Sequence, residues 1–150
     1  MPSRHASTLP FLTTLLLIVM LPLWVGGCAQ RQDTLYQQLG GEPGVAAIVE
    51  DFTLRLADDP DIVGFFANSN IDRFVASLEE QLCAISDGPC VYTGPPMDRA
   101  HQHMGLTDAH FNAVVAHMQQ ALIDQGVPSG PRNQLLGRLA QLHGEIMSLQ

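Results

Sequence analysis

Val45-Ala46-Ala47-Ile48-Val49-Glu50-Asp51-Phe52-Thr53-Leu54-Arg55-Leu56 places Val45, Ile48, Val49, Phe52 and Leu56 at i, i+3, i+4, i+7 and i+11. At 3.6 residues per turn these five share one face, so the stretch reads as an amphipathic helix with a buried stripe. The template recurs in Ile71, Phe74, Val75, Leu78 and Leu82, and again in Phe111, Val114, Val115, Met118 and Leu122. A fourth stripe, Leu135, Leu139, Leu142, Ile146 and Leu149, predicts one more long helix. No stretch alternates convincingly at period two, so the fold class is all-α.

Local chemistry marks the helix ends. Asp58-Asp59-Pro60 stops the first helix, because a residue before proline is driven out of the α region. Thr107 suits an N-cap, with Asp108 favourable in the following turn. Gly126, Pro128, Gly130 and Pro131 separate the third helix from the fourth, with Pro131 expected at a first helical position. Asp87 to Pro96 reads Asp-Gly-Pro-Cys-Val-Tyr-Thr-Gly-Pro-Pro and cannot be regular helix. Long irregular loops at the centre of a small helical protein usually have a functional reason.

The segment before Thr34 reads as an address. Arg4 and His5 precede an apolar run from Leu9 to Leu23, followed by Val25-Gly26-Gly27-Cys28. This is the charged, apolar, small-residue order of a secretory signal. Its end at cysteine resembles a lipobox, in which Cys28 is acylated and becomes the mature N-terminus. Plain secretion and an uncleaved anchor are the other two readings. The division is therefore 1–27 signal peptide of lipoprotein type, 28–33 linker and 34–150 domain. The expected location is exported and periplasm-facing, tethered to a membrane through lipidated Cys28. Removal of Arg4 leaves six arginines against 15 acidic residues, a formal charge of −9. With no lysine and so few arginines, nucleic acid is excluded as a partner.

The domain resembles the group I truncated haemoglobins from Leu35 to about Ile146. The resemblance rests on Leu35-Tyr36-Gln37-Gln38-Leu39-Gly40-Gly41, Val49-Glu50-Asp51-Phe52, Phe65-Phe66, Tyr92-Thr93-Gly94 and Met97. It continues through His101, Gly105-Leu106-Thr107, His110-Phe111 and Gly126-Val127-Pro128. It implies a truncated globin fold, a two-over-two helical sandwich around haem, with Gly40-Gly41 and the later loop making its tight turns. The position matching the family's proximal histidine, and hence the expected metal ligand, is His101. Such a ligand needs one neutral imidazole nitrogen facing iron and the other hydrogen-bonded. Phe66, Met97, Leu106 and Phe111 are expected to pack on the haem, although each would also serve as ordinary core. Tyr92 is expected to reach a haem propionate, and Ser77 stands where a basic propionate partner is often found.

On the opposite face of the haem the sequence departs from the family pattern. Thr53 stands where many members carry tyrosine, and Phe74 and Leu78 stand where polar residues are common. Gln81 is the nearest polar candidate, at the pocket's edge. The distal pocket therefore reads as largely apolar, with Thr53 a weak donor. The resemblance implies a haem protein that binds dioxygen and other diatomic gases. The alternative is a nitric oxide dioxygenase or peroxidase-like enzyme needing an external electron donor. An apolar distal face and the lack of a flavin or nicotinamide motif favour an oxygen-binding carrier over an enzyme.

With Cys28 assigned to lipid, Cys83 and Cys90 remain, seven residues apart. In an oxidising compartment they read as a disulfide, against two free thiols or a redox pair. His101, His103, His110 and His117 could in principle bind zinc, but their spacing matches no familiar short motif.

Overall fold

The computed structural model describes residues 33–150. The signal-type segment, Cys28 and most of the linker lie outside the described residues. Asp33–Gln150 forms one compact unit.

Seven helices and a 3-10 turn follow one another, with no strand among the described residues: α1 Leu35–Gln38, α2 Gly41–Asp58, the 3-10 turn Val63–Phe66, α3 Ile71–Ile85, α4 Met97–Ala100, α5 Asp108–Asp124, α6 Ser129–Ala140 and α7 His143–Ile146. Side chains cap several of them. Thr34 accepts from the Gln37 amide, Asn70 from Arg73 and Thr107 from His110. Each bond satisfies a backbone donor that the first helical turn leaves free.

The apolar stripes meet as their spacing requires. Helix α2 packs against both α3 and α5, and α5 packs against α6. Val45, Ile48, Val49, Phe52 and Leu56 of α2 are all buried, together with Leu82, Met118, Ala121, Leu122 and Leu135. Full burial of a leucine or isoleucine is worth roughly 1.5–3 kcal/mol, so this shared seam dominates the packing energy.

The α1–α2 corner depends on glycine. Gly40 and Gly41 have φ of +95° and +63°, in the left-handed region that side chains resist. Three residues on, a Cβ at Gly44 would lie 2.0 Å from the Leu39 carbonyl oxygen.

Two expectations are corrected. The fourth stripe is not one continuous helix. Its backbone tightens after Ala140, where the Leu142 amide donates to Leu139 three residues back, and α7 then restarts at His143. Such 3-10 closures are common at helix ends, and Gly144 weakens helix propensity there. Pro131 is not the first residue of α6, which begins at Ser129. Proline is tolerated at Pro131 because the first amides of a helix have no intrahelical acceptor.

The irregular segment between α3 and α4 is tied back to α3. Cys83 on α3 and Cys90 in the loop sit within bonding distance, their Cα atoms 5.8 Å apart. Glu80 accepts from both the amide and the hydroxyl of Thr93, at 2.7 and 3.0 Å. At the C-terminus of α3 itself, Arg138 of α6 donates to the Ile85 carbonyl and to Asp87.

Candidate functional site

Pro95 and Pro96 hold the chain out of the helix until Met97, and α4 then lasts a single turn. His101 is the residue at which that turn ends, with φ −116° and ψ 5°. Its half-buried imidazole places Nδ1 2.8 Å from the Met97 carbonyl oxygen. A carbonyl oxygen can only accept, so Nδ1 carries the proton. In the neutral ring the lone pair is then on Nε2, the form that binds a metal.

The segment from His101 to Thr107 needs unusual backbone angles. His103 has φ +58° and Gly105 has φ +69°. For a side chain such as that of His103 this conformation costs on the order of 1–2 kcal/mol. The chain after α7 supplies partners: Leu149 accepts from the His103 amide at 2.8 Å, and the Gln150 side chain bonds both the His101 carbonyl and the Leu106 amide.

Met97 is buried, and its sulfur accepts from the Gln81 amide at 3.1 Å. Gln81 is thus tied to the turn that carries His101. Phe66 and Phe74 meet edge to face with centroids 4.9 Å apart, and Leu78 lies one turn beyond Phe74 on α3. Phe111 makes a similar contact with the His143 ring at 4.6 Å. Phe66, Phe74, Leu78, Leu106 and Phe111 are all half-buried, unlike the fully buried seam between α2 and α5. Thr53 is half-buried on α2, and its hydroxyl donates to the Val49 carbonyl at 2.7 Å.

Tyr92 turns toward its own loop. Its hydroxyl donates to the Pro95 carbonyl at 3.0 Å, and its ring covers Gly94 closely enough to exclude a Cβ there. Burial, reinforced by the Glu80 carboxylate, pushes its phenol above the ordinary range.

The other histidines have separate engagements. His103 is exposed. His110 accepts from the Thr107 amide through Nδ1 and stands against Phe65, with centroids 5.0 Å apart. His117 pairs with Asp59 at 2.6 Å, an interaction that holds the Asp59 carboxyl below its ordinary range. Among the described residues no group of three or more His, Cys, Asp or Glu side chains is placed to hold a metal ion.

Two contributors to the His101 setting were missed in the sequence. The Met97 carbonyl was open to inference, because a residue ending a one-turn helix faces the carbonyl four positions back. Gln150 gave no local signal, being 49 residues from His101.

A model of the bacterial-like globin family matches residues 34–148. The chain is similar to the group 1 truncated hemoglobin GlbN of Mycolicibacterium paratuberculosis, 37% identical over 113 residues, which cover 75% of this chain and 83% of that protein. It is 30% identical over 115 residues to the group 1 truncated hemoglobin GlbN of a Nostoc species, covering 77% of this chain and 98% of the relative. The truncated hemoglobin from Tetrahymena pyriformis in its Fe(III) form matches with a TM-score of 0.73 at 27% identity, covering 76% of this chain and 97% of that one. The 2/2 hemoglobin from a Synechococcus species matches in fold, with a TM-score of 0.74 at 24% identity over 77% of this chain and 99% of that one.

Proposed function

The chain belongs to the bacterial-like globin family, and from that membership we propose that it binds dioxygen and other diatomic gases at a haem iron held by Nε2 of His101. The fold is the two-over-two globin fold, and the cofactor is haem. When bound, haem supplies an iron centre with a coordination position for a small gas.

One observation carries the choice of His101. Its Nδ1–H is engaged by the Met97 carbonyl at 2.8 Å, which fixes both tautomer and ring orientation and leaves Nε2 as the donor. The half-buried side chains of Phe66, Phe74, Leu78, Leu106 and Phe111 fit a flat apolar macrocycle, which gains by covering apolar surface. Met97 supports the ligand turn from within the core.

The side chains assigned to the distal face favour carriage over oxygen chemistry. Phe74 and Leu78 offer no polar hydrogen, and Thr53 gives its hydroxyl proton to Val49. Oxygen activation benefits from donors that this set does not supply.

The decisive experiment is an absorption spectrum of the haem-loaded protein. A Soret band is expected that is lost in His101→Ala and restored by added imidazole. Absence of haem uptake by the wild type, or an unchanged spectrum in His101→Ala, overturns the assignment.

The placement of Cys83 against Cys90 supports a disulfide in an exported domain. Cys28 would then carry lipid. The five linker residues Ala29–Asp33 reach at most roughly 3.3–3.6 Å each, so the domain would work close to its membrane. Metabolic labelling with a fatty acid, abolished in Cys28→Ser, is the expected result.

A further inference from the structure

We propose that Gln150 is a positioning residue for the His101 imidazole: its side-chain amide clamps both ends of the loop that follows the iron ligand. The inference rests on the reading of His101 as that ligand.

The Gln150 amide bonds three backbone groups. Nε2 donates to the His101 carbonyl at 2.9 Å and to the Ile146 carbonyl at 2.5 Å. Oε1 accepts from the Leu106 amide at 3.0 Å. Two carbonyl acceptors on one side and an N–H donor on the other leave no choice about the amide's orientation. One side chain thus joins the end of α7, the first residue of the loop and its sixth.

The loop needs such a clamp. His103 and Gly105 both have positive φ, and His103 has the left-handed conformation that a side chain resists. The loop groups that bond across the sequence, the His101 carbonyl and the His103 and Leu106 amides, all find partners in Leu149 and Gln150. These contacts link positions 44 to 49 residues apart, so helix α4 alone cannot supply them.

The consequence for the ring follows from its two fixed points. The Met97 carbonyl holds Nδ1, and Gln150 holds the peptide group leaving the His101 Cα. Together they limit both the backbone and the side-chain torsions of the ligand. Gln150 is itself exposed, so its truncation leaves the buried seam untouched. A side chain that bonds the backbone of His101 and not its ring thereby sets how rigidly Nε2 is presented.

The test uses the haem-loaded full chain and two variants, Gln150→Ala and Gln150→Glu. The second keeps the side chain's shape and its acceptor for Leu106, but sets oxygen against the His101 carbonyl. The iron–histidine stretching band of the ferrous protein and the rate of haem transfer to excess apomyoglobin are measured. In both variants the band is expected to broaden or shift, and haem to leave roughly two- to tenfold faster, as loss of a typical hydrogen bond implies. Should Gln150→Ala fail to fold, Gln150→Glu carries the same readout. A wild-type band and rate in the folded variants overturns the proposal, and so does a lowered melting temperature with an unmoved band. His101→Gly separates this failure from that of the underlying reading. If His101→Gly keeps the wild-type band, the iron ligand lies elsewhere, whatever Gln150 does.

Discussion

The imidazole Nδ1 of His101 lies 2.8 Å from the carbonyl oxygen of Met97, the residue that opens the same one-turn helix. The two positions are linked in opposite directions. Met97 is buried and receives the Gln81 amide on its sulfur, while its carbonyl receives the histidine proton. Packing on one side of a single turn therefore fixes the orientation of the His101 ring on the other.

In the proposed function Thr53 takes the place where a tyrosine would put a donor beside the bound gas, but its own hydroxyl donates to Val49. Thr53→Val is therefore expected to leave the oxygen dissociation rate within about twofold, since it removes no donor that serves the ligand. Thr53→Tyr should slow oxygen release by roughly one to two decades, the worth of about 1.5–3 kcal/mol from one strong donor. Carbon monoxide release should change much less. Stopped-flow ligand replacement measures all three rates, and a large acceleration in Thr53→Val would show that the hydroxyl does serve the ligand.

Gly44 reverses an ordinary rule. Alanine in a helix is normally favoured over glycine by about 1 kcal/mol. At Gly44 the added Cβ would stand 2.0 Å from the Leu39 carbonyl oxygen, which is backbone and cannot rotate away. Gly44→Ala should therefore destabilise, by roughly 1–3 kcal/mol as overpacking generally does. Urea unfolding gives the sign directly, and a raised midpoint would contradict the close approach.

Cys83 and Cys90 enclose the start of the loop that leads to His101. Replacement of both by serine should lower stability by roughly 2–3 kcal/mol, the chain-entropy value for so short a loop. Dithiothreitol should lower the midpoint of the wild type and leave the double variant unchanged. Intact mass in denaturant should show two protons fewer than the fully reduced chain. Equal midpoints with and without reductant would place both cysteines as free thiols.

Asp87 combines a left-handed backbone, φ +60°, with an ion pair to Arg138 at 2.7 Å. The Arg138 guanidinium holds its carboxyl below the ordinary 3.8. A carboxylate whose folded-state pKa is depressed adds stability above its unfolded value, and loses it as pH falls through the lowered folded value. Asp87→Asn tolerates the same backbone angle and removes only the charge. The wild type should thus be more stable than Asp87→Asn at pH 6, with the gap closing below pH 3.8. Because the pair is exposed, salt should shrink the gap. A gap that does not shrink at all between pH 6 and pH 2.5 would assign it to something other than the carboxylate.

The all-α class, the buried stripes and the helix ends at Asp59 and Thr107 were legible in the sequence, because each follows from local chemistry. A stripe such as Val45 to Leu56 needs a partner surface whatever that partner is, and a capping threonine acts within its own turn. The proposal of His101 as ligand came from the resemblance and from its place after Pro95-Pro96. The interruption between Ala140 and His143 was not legible, since the fourth stripe keeps its period through the tightened turn.

Sequence alone also placed glycine at the α1–α2 corner and read Phe74, Leu78 and Thr53 as a poor set of donors. Only the tertiary structure decided which atoms orient the His101 ring. Met97 reaches Nδ1 through its carbonyl, a group that every residue carries and that no side-chain pattern reveals. Gln150 reaches the His101 carbonyl across 49 residues, a contact created by packing α7 against α4. Periodicity reports which face of a helix is buried. The hydrogen bonds that aim a single ring depend on where separate segments meet, and that is settled when the helices pack.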